Sequence, residues 1–254
     1  MKIRWFFPLC LLLLAVSCHK TDQKGALTLC FEAQINGGEV DYHSPNYTNE
    51  AGNVYQVDEI KYFISAVKFH SVTGEVFEIT DCDGIHYFDS NIPSTAFWKV
   101  PDALPVGRFD SISFIVGLPP AQNVTGFFVN PPESNMAWPD VLGGGYHYMQ
   151  INGKWLNENN VLSPFNLHTG IGQLYENGSV VQFVDNSFEV TLPLGDFLIT
   201  EDGVAQRTLV MNVENWMRSP HTYDFNEWGG AIMQNQEAQR TLRENGHDVF
   251  TIRE

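Results

Sequence analysis

The chain contains 254 residues, of which 43% are hydrophobic and 13% aromatic, and it carries a formal net charge of −16 at pH 7. So acidic a surface repels phosphate backbones and anionic lipid headgroups, which argues against charge-driven binding to nucleic acid or to anionic membranes. The length is ample for one hydrophobic core and is common for a single β domain.

The N-terminus has the pattern of an export signal. Lys2 and Arg4 precede an apolar run over residues 6–16, which is too short to serve well as a membrane-spanning helix. The run ends in AVSC, which resembles the lipobox of bacterial lipoproteins, where the cysteine is lipidated and becomes the first residue of the mature chain. We therefore expect a signal peptide over 1–17 and a lipid anchor at Cys18. Plain secretion with cleavage near Ser17 is the alternative.

The predicted mature chain has two parts. Residues 18–25 read as a polar tether, and residues 26–254 as one domain. Such a protein would be exported and held on a bacterial membrane, either in the periplasm at the outer membrane or at the cell surface.

Runs rich in alternating, β-branched and aromatic residues predict strands through most of the chain. The predicted strands cover residues 27–35, 55–70, 75–80, 109–117, 146–151, 180–184, 187–192 and 208–213. Thr73 and Gly74 would form the turn of a hairpin. Turns at this spacing, without intervening helices, favour an all-β fold: an antiparallel β-sandwich, immunoglobulin-like or related, or else a barrel.

One helix is predicted near the C-terminus, over residues 231–244. The segment lacks proline and glycine, and Ile232, Ala238 and Leu242 could share a face. An Asn-Gly pair ending at Gly246 suits a left-handed terminator, and the chain would then finish as a short extended segment.

Two cysteines remain after those expected to leave with the signal or to carry lipid. Cys30 and Cys82 each lie in or next to a predicted strand. In an oxidising compartment, a disulfide between neighbouring strands is one reading. Two separately buried thiols are the other, because a free cysteine behaves as a small hydrophobe.

The stretch over residues 130–155, together with residues 165–170, concentrates side chains that suit a soft metal ion. Its thioether, imidazole and large aromatic side chains belong to Met136, Trp138, Tyr146, His147, Tyr148, Met149 and His168. Three glycines, residues 143–145, precede the aromatic strand, so the backbone there can adopt conformations that other residues avoid. The competing interpretation is that these are ordinary core residues and that His168 is a loop histidine.

The order of several motifs resembles that of MbnP-like proteins, which are exported bacterial proteins related to a copper-binding periplasmic partner of methanobactin systems. The motifs are FEAQING, YTNEAGNVYQVDEIKYFIS, GRFDSISFIVGLPPAQN, NPP with MAW, GYHYMQINGKW, FNLHTGIG and NGHDVFTI. The resemblance covers about residues 26–252 and implies a β-sandwich. In characterised members, copper lies beside a tryptophan oxidised to kynurenine, and a dihaem enzyme of the cytochrome c peroxidase type performs that oxidation.

The resemblance also suggests site residues. His168 matches the HxG element of the family, and Trp138 matches a tryptophan just ahead of the GY strand, whose tyrosine is Tyr146. His147 stands where many relatives carry another polar residue, and VLGGG lengthens the loop before it. We expect a Cu(I) site from His168, Trp138, Met136 and His147, with His147 on the same face of its strand as Met149.

Two classes of function follow from the sequence. The first is a copper-binding lipoprotein that captures or stores Cu(I) with a dihaem peroxidase-type partner. The second is a non-catalytic surface or periplasmic module that binds a glycan or protein through exposed aromatics such as Trp98, Trp155 and Trp228. The sequence contains no GxSxG, HExxH or phosphate-loop motif, so we do not expect an enzyme.

Overall fold

The computed structural model describes residues 23–201 and 203–253, which form mainly β-strands. The predicted signal peptide and Cys18 lie outside the described residues. The strands are β1 (Lys24–Ile35), β2 (Gly38–Glu39), β3 (Tyr47–Thr48), β4 (Val54–Ser71), β5 (Val76–Glu78), β6 (His86–Asp89), β7 (Phe97–Lys99), β8 (Leu104–Pro105), β9 (Gly107–Val116), β10 (Met149–Leu156), β11 (Leu162–Thr169), β12 (Ile171–Glu176), β13 (Ser179–Asp185), β14 (Phe188–Ile199), β15 (Val204–Asn212) and β16 (Phe250–Arg253).

Two sheets pack face to face, which confirms the predicted β-sandwich. The larger sheet has the order β11-β10-β4-β9-β14, and β3, β5 and β6 also pair with β4. The smaller sheet has the order β16-β15-β1-β2, with β7 and β8 pairing with β1. Pairing is antiparallel throughout these sheets except between β1 and β15, which run parallel. Strands β12 and β13 pair only with each other and form a separate arm.

The main core lies between the two sheets. Alternate residues of β1, such as Leu27 and Leu29, face alternate residues of β4, such as Ile60 and Tyr62, within one apolar cluster. Phe63 comes between Tyr62 and Ile64, which both belong to this core, and therefore points to the other side of the larger sheet. There it joins a second apolar cluster, formed by Phe63, Tyr87, Leu118, Met136, Tyr146 and Tyr148. The candidate site is built on this outer side.

A bulge in strand β4 explains why the apolar residues of its sequence do not follow one strict alternation. Its register against β9 shifts between Ser65 and Lys68, and Ala66 adopts a φ of 50°. This bulge changes which residues face inward, so Val67 and Phe69 are buried out of phase with the first half of the strand. Two other predicted strands have different bounds in the structure. The strand predicted over 75–80 is shorter and spans Val76–Glu78. The strand predicted over 146–151 begins later, at Met149, and extends to Leu156.

The C-terminal helix is shorter than predicted. Helix α2 spans Gln236–Asn245, because the side chain of Asn235 accepts a hydrogen bond from the Ala238 amide and caps the first turn. Residue Ala231, predicted as the first helical residue, instead forms a bridge with Asn166 of β11. A further one-turn helix, α1, spans Phe225–Trp228.

The predicted left-handed terminator at Gly246 is wrong. Gly246 has a φ of −61°, and the chain continues through it into a further helical turn. A β-carbon at this position would lie 2.2 Å from the ring of Phe188. Close packing, rather than backbone handedness, therefore explains the glycine.

The domain also begins earlier than predicted. Lys24 and Gly25 pair with Pro105 and Leu104 as part of β1, although both residues were assigned to the tether. In addition, the side chain of Gln23 donates a hydrogen bond to Glu201. Ladder hydrogen bonds thus fix the last residues of the predicted tether to the smaller sheet.

Neither prediction for the cysteines matches the structure. Cys30 is buried and Cys82 is exposed, and both are free thiols. Cys82 lies in a tight turn over Asp81–Gly84 with a φ of 54°, outside the sheets. The predicted disulfide is therefore not formed in this structure, and only one of the two thiols behaves as a buried hydrophobe.

The predicted aromatic binding face is also wrong for two of its three residues. Trp98 and Trp155 are only 8% and 7% exposed, and Trp228 is partly buried. Trp98 stacks on His86, and Trp155 stacks on Phe225.

Within the described ranges, no helix combines the length and the apolar character needed to cross a lipid bilayer.

Candidate metal centre

The loop that precedes β10 is shaped by three successive glycines. Gly143, Gly144 and Gly145 have φ values of 114°, 67° and 81°, a region that favours glycine. The turn brings the chain back on itself, so that the Trp138 amide donates to the Gly145 carbonyl over 2.8 Å. The expectation that these glycines give the loop an unusual path is confirmed.

This loop buries Trp138, which is only 2% exposed. Its indole Nε1 donates a 3.1 Å hydrogen bond to the carbonyl oxygen of Leu142. The indole lies against Gly170, which follows the last residue of β11. The centroid of the indole is 4.7 Å from that of the His147 ring. Trp138 therefore connects the loop to the end of β11.

Two buried glutamine and asparagine side chains hold the Gly170 peptide in place. Gln239 of α2 accepts a hydrogen bond from the Gly170 amide, and Asn186 donates one to the Gly170 carbonyl. Asn186 also donates to Gln239, and both side chains are almost fully buried. Helix α2 thus helps position the segment that carries His168.

His147 has a defined protonation pattern. Its Nδ1 lies 2.9 Å from the carbonyl oxygen of Met136, which can only accept a hydrogen bond. The proton of the neutral ring must therefore reside on Nδ1. The other ring nitrogen, Nε2, carries a free electron pair, is buried, and has no hydrogen-bond partner among the described residues.

His168 has the complementary pattern. Its Nε2 lies 2.8 Å from Oδ1 of Asn152, whose amide nitrogen donates over 2.8 Å to Glu59. Because the Asn152 amide must direct its N–H group at that carboxylate, its oxygen faces His168, and Nε2 carries the proton. This leaves Nδ1 of His168 buried and without a partner in the described part of the chain.

The two imidazoles are neighbours. Their ring centroids are 4.8 Å apart, and their planes are nearly perpendicular. Burial lowers the pKa of His147 to about 4, against the smaller opposing effect of its hydrogen bonds. Burial also lowers the pKa of His168 to about 3, and the neighbouring His147 and Lys61 add to the effect. Both rings are consequently neutral at pH 7, and each offers a free electron pair in a buried place.

Two unprotonated imidazole nitrogens have the donor chemistry of metal ligands. Imidazole is a borderline donor suited to copper and zinc, and metal-binding histidines usually donate their second ring N–H to a carbonyl or a carboxylate-linked group, as both do here. Among residues 23–201 and 203–253, no group of three or more His, Cys, Asp or Glu side chains converges as a metal site.

The structure brings together three of the four predicted ligands but gives Met136 another position. His147 contacts both Trp138 and His168. The side chain of Met136 packs in the second apolar cluster, and its contribution to the site is the backbone carbonyl that orients His147. The prediction that His147 shares a face with Met149 is wrong, because Met149 packs in the main core whereas His147 lies against His168 on the outer side of the sheet. Strand β10 begins only at Met149, so strand alternation does not extend back to His147.

Sequence reasoning missed Asn152 and Glu59, which fix the tautomer of His168. Both lie in strands, and Asn152 is directly opposite Glu59 of β4 and Asn166 of β11. The alternation of polar residues in MQINGK, at Gln150, Asn152 and Lys154, was a signal that the outer face of the strand is polar. The register that pairs these residues across three strands was not visible in the sequence.

Comparison with known proteins agrees with this architecture. The MbnP family model matches residues 24–234. The solved structure of MbnP from Methylosinus trichosporium is similar with a TM-score of 0.58 and 14% sequence identity, covering 91% of this chain and 98% of that one. At this identity the structural match establishes the fold alone. A comparison with curated protein sequences found no match. The family match extends over most of the chain, and we conclude that the chain belongs to the MbnP family.

Proposed function

We propose that this protein binds copper as Cu(I), with Nε2 of His147 and Nδ1 of His168 among its ligands. The observation that carries the proposal is the pair of adjacent, buried imidazoles, each with one ring nitrogen without a hydrogen-bond partner in the described chain. Leaving two buried acceptors without partners costs free energy unless another group satisfies them. A soft cation would do so without a proton.

Trp138 is the third residue of the proposed site. An unmodified indole nitrogen lacks an available electron pair, and here it donates to Leu142. Oxidative cleavage of the indole C2–C3 bond would give N-formylkynurenine, and hydrolysis would then release C2 as formate and leave kynurenine, whose aryl amine and ketone both have free electron pairs. The cleavage adds two oxygen atoms and removes four electrons. In our proposal a dihaem partner of the cytochrome c peroxidase type carries out this oxidation with a peroxide as the oxidant, which is reduced to water. The contact between Trp138 and His147 supports the choice of this tryptophan.

The proposed role is capture or storage of copper outside the cytoplasm, without catalysis. The N-terminal pattern ending at Cys18 supports export and lipid anchoring. The alternative, a glycan- or protein-binding module that keeps the fold without the metal, loses its main support because Trp98 and Trp155 are buried.

The test is copper stoichiometry and intact mass after co-expression with the dihaem partner. We expect retained copper in the wild-type protein, and a mass increase at Trp138 that equals one oxygen minus one carbon. His168→Ala and His147→Ala should each lose most of the copper, whereas His247→Ala, which removes an exposed imidazole, should not. Thermal melts would show that each variant is folded.

Two outcomes would overturn the proposal. One is copper retention that is the same in folded His168→Ala, His147→Ala and wild-type protein. The other is wild-type protein with unmodified Trp138 and no bound copper after co-expression, which would favour the binding-module alternative.

A further inference from the structure

A lysine lies on the same outer sheet face as the histidine pair. Gln150 of β10 is directly opposite Lys61 of β4 on one side and His168 of β11 on the other. The flanking residues Met149 and Ile151 belong to the main core, so all three members of this row point to the outer side of the sheet. Two strand spacings, roughly 10 Å, separate Lys61 from His168 at the backbone, and a lysine side chain spans much of that distance.

The ammonium group of Lys61 is held in place and is mostly shielded from water. Its Nζ lies 2.7 Å from Glu59, and the side chain is only 20% exposed. Glu59 in turn binds Asn152, which orients His168, so a chain of contacts links the lysine to the proposed ligand. Hydrogen bonds from Lys61, Asn152 and Asn91 outweigh the effect of burial and lower the pKa of Glu59.

Lys61 and His168 lie in one row on the outer face of the sheet, and His147 lies beside His168, so the positive charge of Lys61 acts on the space around both imidazoles. A metal ion held by His147 and His168 would experience the field of this charge. Electrostatic repulsion scales with the charge of the ion, so a divalent ion is penalised twice as much as a monovalent ion at the same place.

We infer that Lys61 is a selectivity residue that makes the His147–His168 site prefer a monovalent over a divalent ion, and hence Cu(I) over Cu(II). This inference rests on the proposed copper site and adds the reason for its oxidation state. It assigns a specific role to a largely shielded cation on the same sheet face as the nitrogen ligands, where a cation would otherwise only weaken metal binding. Glu59 limits the effect by pairing with the ammonium group.

The test measures Cu(I) and Cu(II) dissociation constants by competition titration, and the reduction potential of bound copper, on purified full-length mature protein. In Lys61→Met, we expect the ratio of the Cu(II) to the Cu(I) dissociation constant to fall roughly tenfold, from one unit charge about 10 Å away in a partly buried site. This fold-change corresponds to a potential lower by about 60 mV for a one-electron couple.

Two further variants make the test specific. Lys154→Met removes the same charge from an exposed position on β10, four residues from Gln150. It should leave the ratio of the Cu(II) to the Cu(I) dissociation constant unchanged. Glu59→Gln removes the negative partner while keeping an amide oxygen that can accept from Asn152. It should therefore shift the ratio and the potential in the opposite direction.

The outcomes separate this inference from the proposed function. If the wild-type protein binds copper but folded Lys61→Met has the same ratio as wild type and Lys154→Met, the role of Lys61 is refuted and the copper site stands. If the wild-type protein binds neither Cu(I) nor Cu(II), both fail. Equal shifts in Lys61→Met and Lys154→Met would show only a general effect of net charge, and would also refute the inference.

Discussion

The indole of Trp138 lies so close to Gly170 that a β-carbon at position 170 would be 2.7 Å from the indole Cε3 atom. The HxG segment and the tryptophan loop are thus fitted to each other, and glycine is needed because the indole occupies the space. This contact fixes the distance between the loop and the strand end that carries His168.

The first prediction follows from this contact. Gly170→Ala should displace the indole and lower the free energy of unfolding by about 1–3 kcal/mol, the usual cost of overpacking a well-filled site. Denaturant unfolding and tryptophan fluorescence would measure it. Gly38→Ala is the control, because a β-carbon there would meet no atom closer than 3.8 Å. Equal stability of the two variants would contradict the close fit.

A second prediction concerns the buried amide network that joins helix α2 to Gly170. Gln239 is fully buried, and its side chain accepts from the Gly170 amide and from Asn186 and donates to the Met233 carbonyl. Gln239→Met keeps the size but leaves these groups unpaired, so we expect a loss of about 2–4 kcal/mol in the free energy of unfolding.

The matched control for the network is Arg240→Met on the exposed side of the same helix. Among the described residues, Arg240 pairs with Glu237 and Glu244 at the surface, so its replacement should leave the unfolding midpoint close to that of the wild-type protein. If Gln239→Met unfolds at the same midpoint as Arg240→Met, the network does not stabilise the site.

A third prediction concerns pH and uses His86, which lies away from the proposed metal centre. The ring stacks between Phe31 and Trp98, its Nε2–H donates to the Thr95 carbonyl, and burial lowers its pKa to about 4. The unfolded chain binds a proton at higher pH than the folded protein. Protonation of His86 therefore favours the unfolded chain. The stability that the neutral, buried His86 contributes is fully present above about pH 6.5 and declines as pH falls toward about 4.

His86→Phe should keep the stacking but remove the titration. Between pH 7 and pH 5, the wild-type protein should lose up to about 2 kcal/mol more stability than the variant, at about 1.4 kcal/mol per pKa unit. Urea unfolding at several pH values, with metal-free protein, would measure the difference. Parallel pH profiles would show that the imidazole is not kept neutral by its surroundings.

A fourth prediction addresses the expected lipid anchor. Cys18→Ser should release soluble protein or leave an uncleaved precursor, because the hydroxyl group cannot accept the thioether-linked lipid. Cell fractionation and immunoblotting would detect either result. Cys82→Ser, which removes an exposed thiol within the folded domain, should remain membrane-bound. A Cys18→Ser protein of mature size in the membrane fraction would refute lipid anchoring.

The sequence by itself determined the fold class and the neighbourhood of the candidate site. Strict alternation places all apolar residues of a strand on one face, and such a face is buried when two sheets pack together. The alternating pattern therefore predicted the sandwich. Trp138, His147 and His168 were selected by residue type and family resemblance, and the structure places them in contact. The glycines at 143–145 were correctly expected to permit an unusual loop.

The tertiary structure decided the features that depend on contacts between distant segments. Asn152 directs its amide nitrogen to Glu59, 93 residues away in the chain, and therefore its oxygen to His168, which fixes the tautomer. The strand register that aligns them depends on pairing between separate strands, and a pattern read along one strand cannot supply it. For the same reason, the sequence could not show that Met136 contributes a carbonyl rather than its sulfur, or that Trp98 packs on His86 instead of facing solvent.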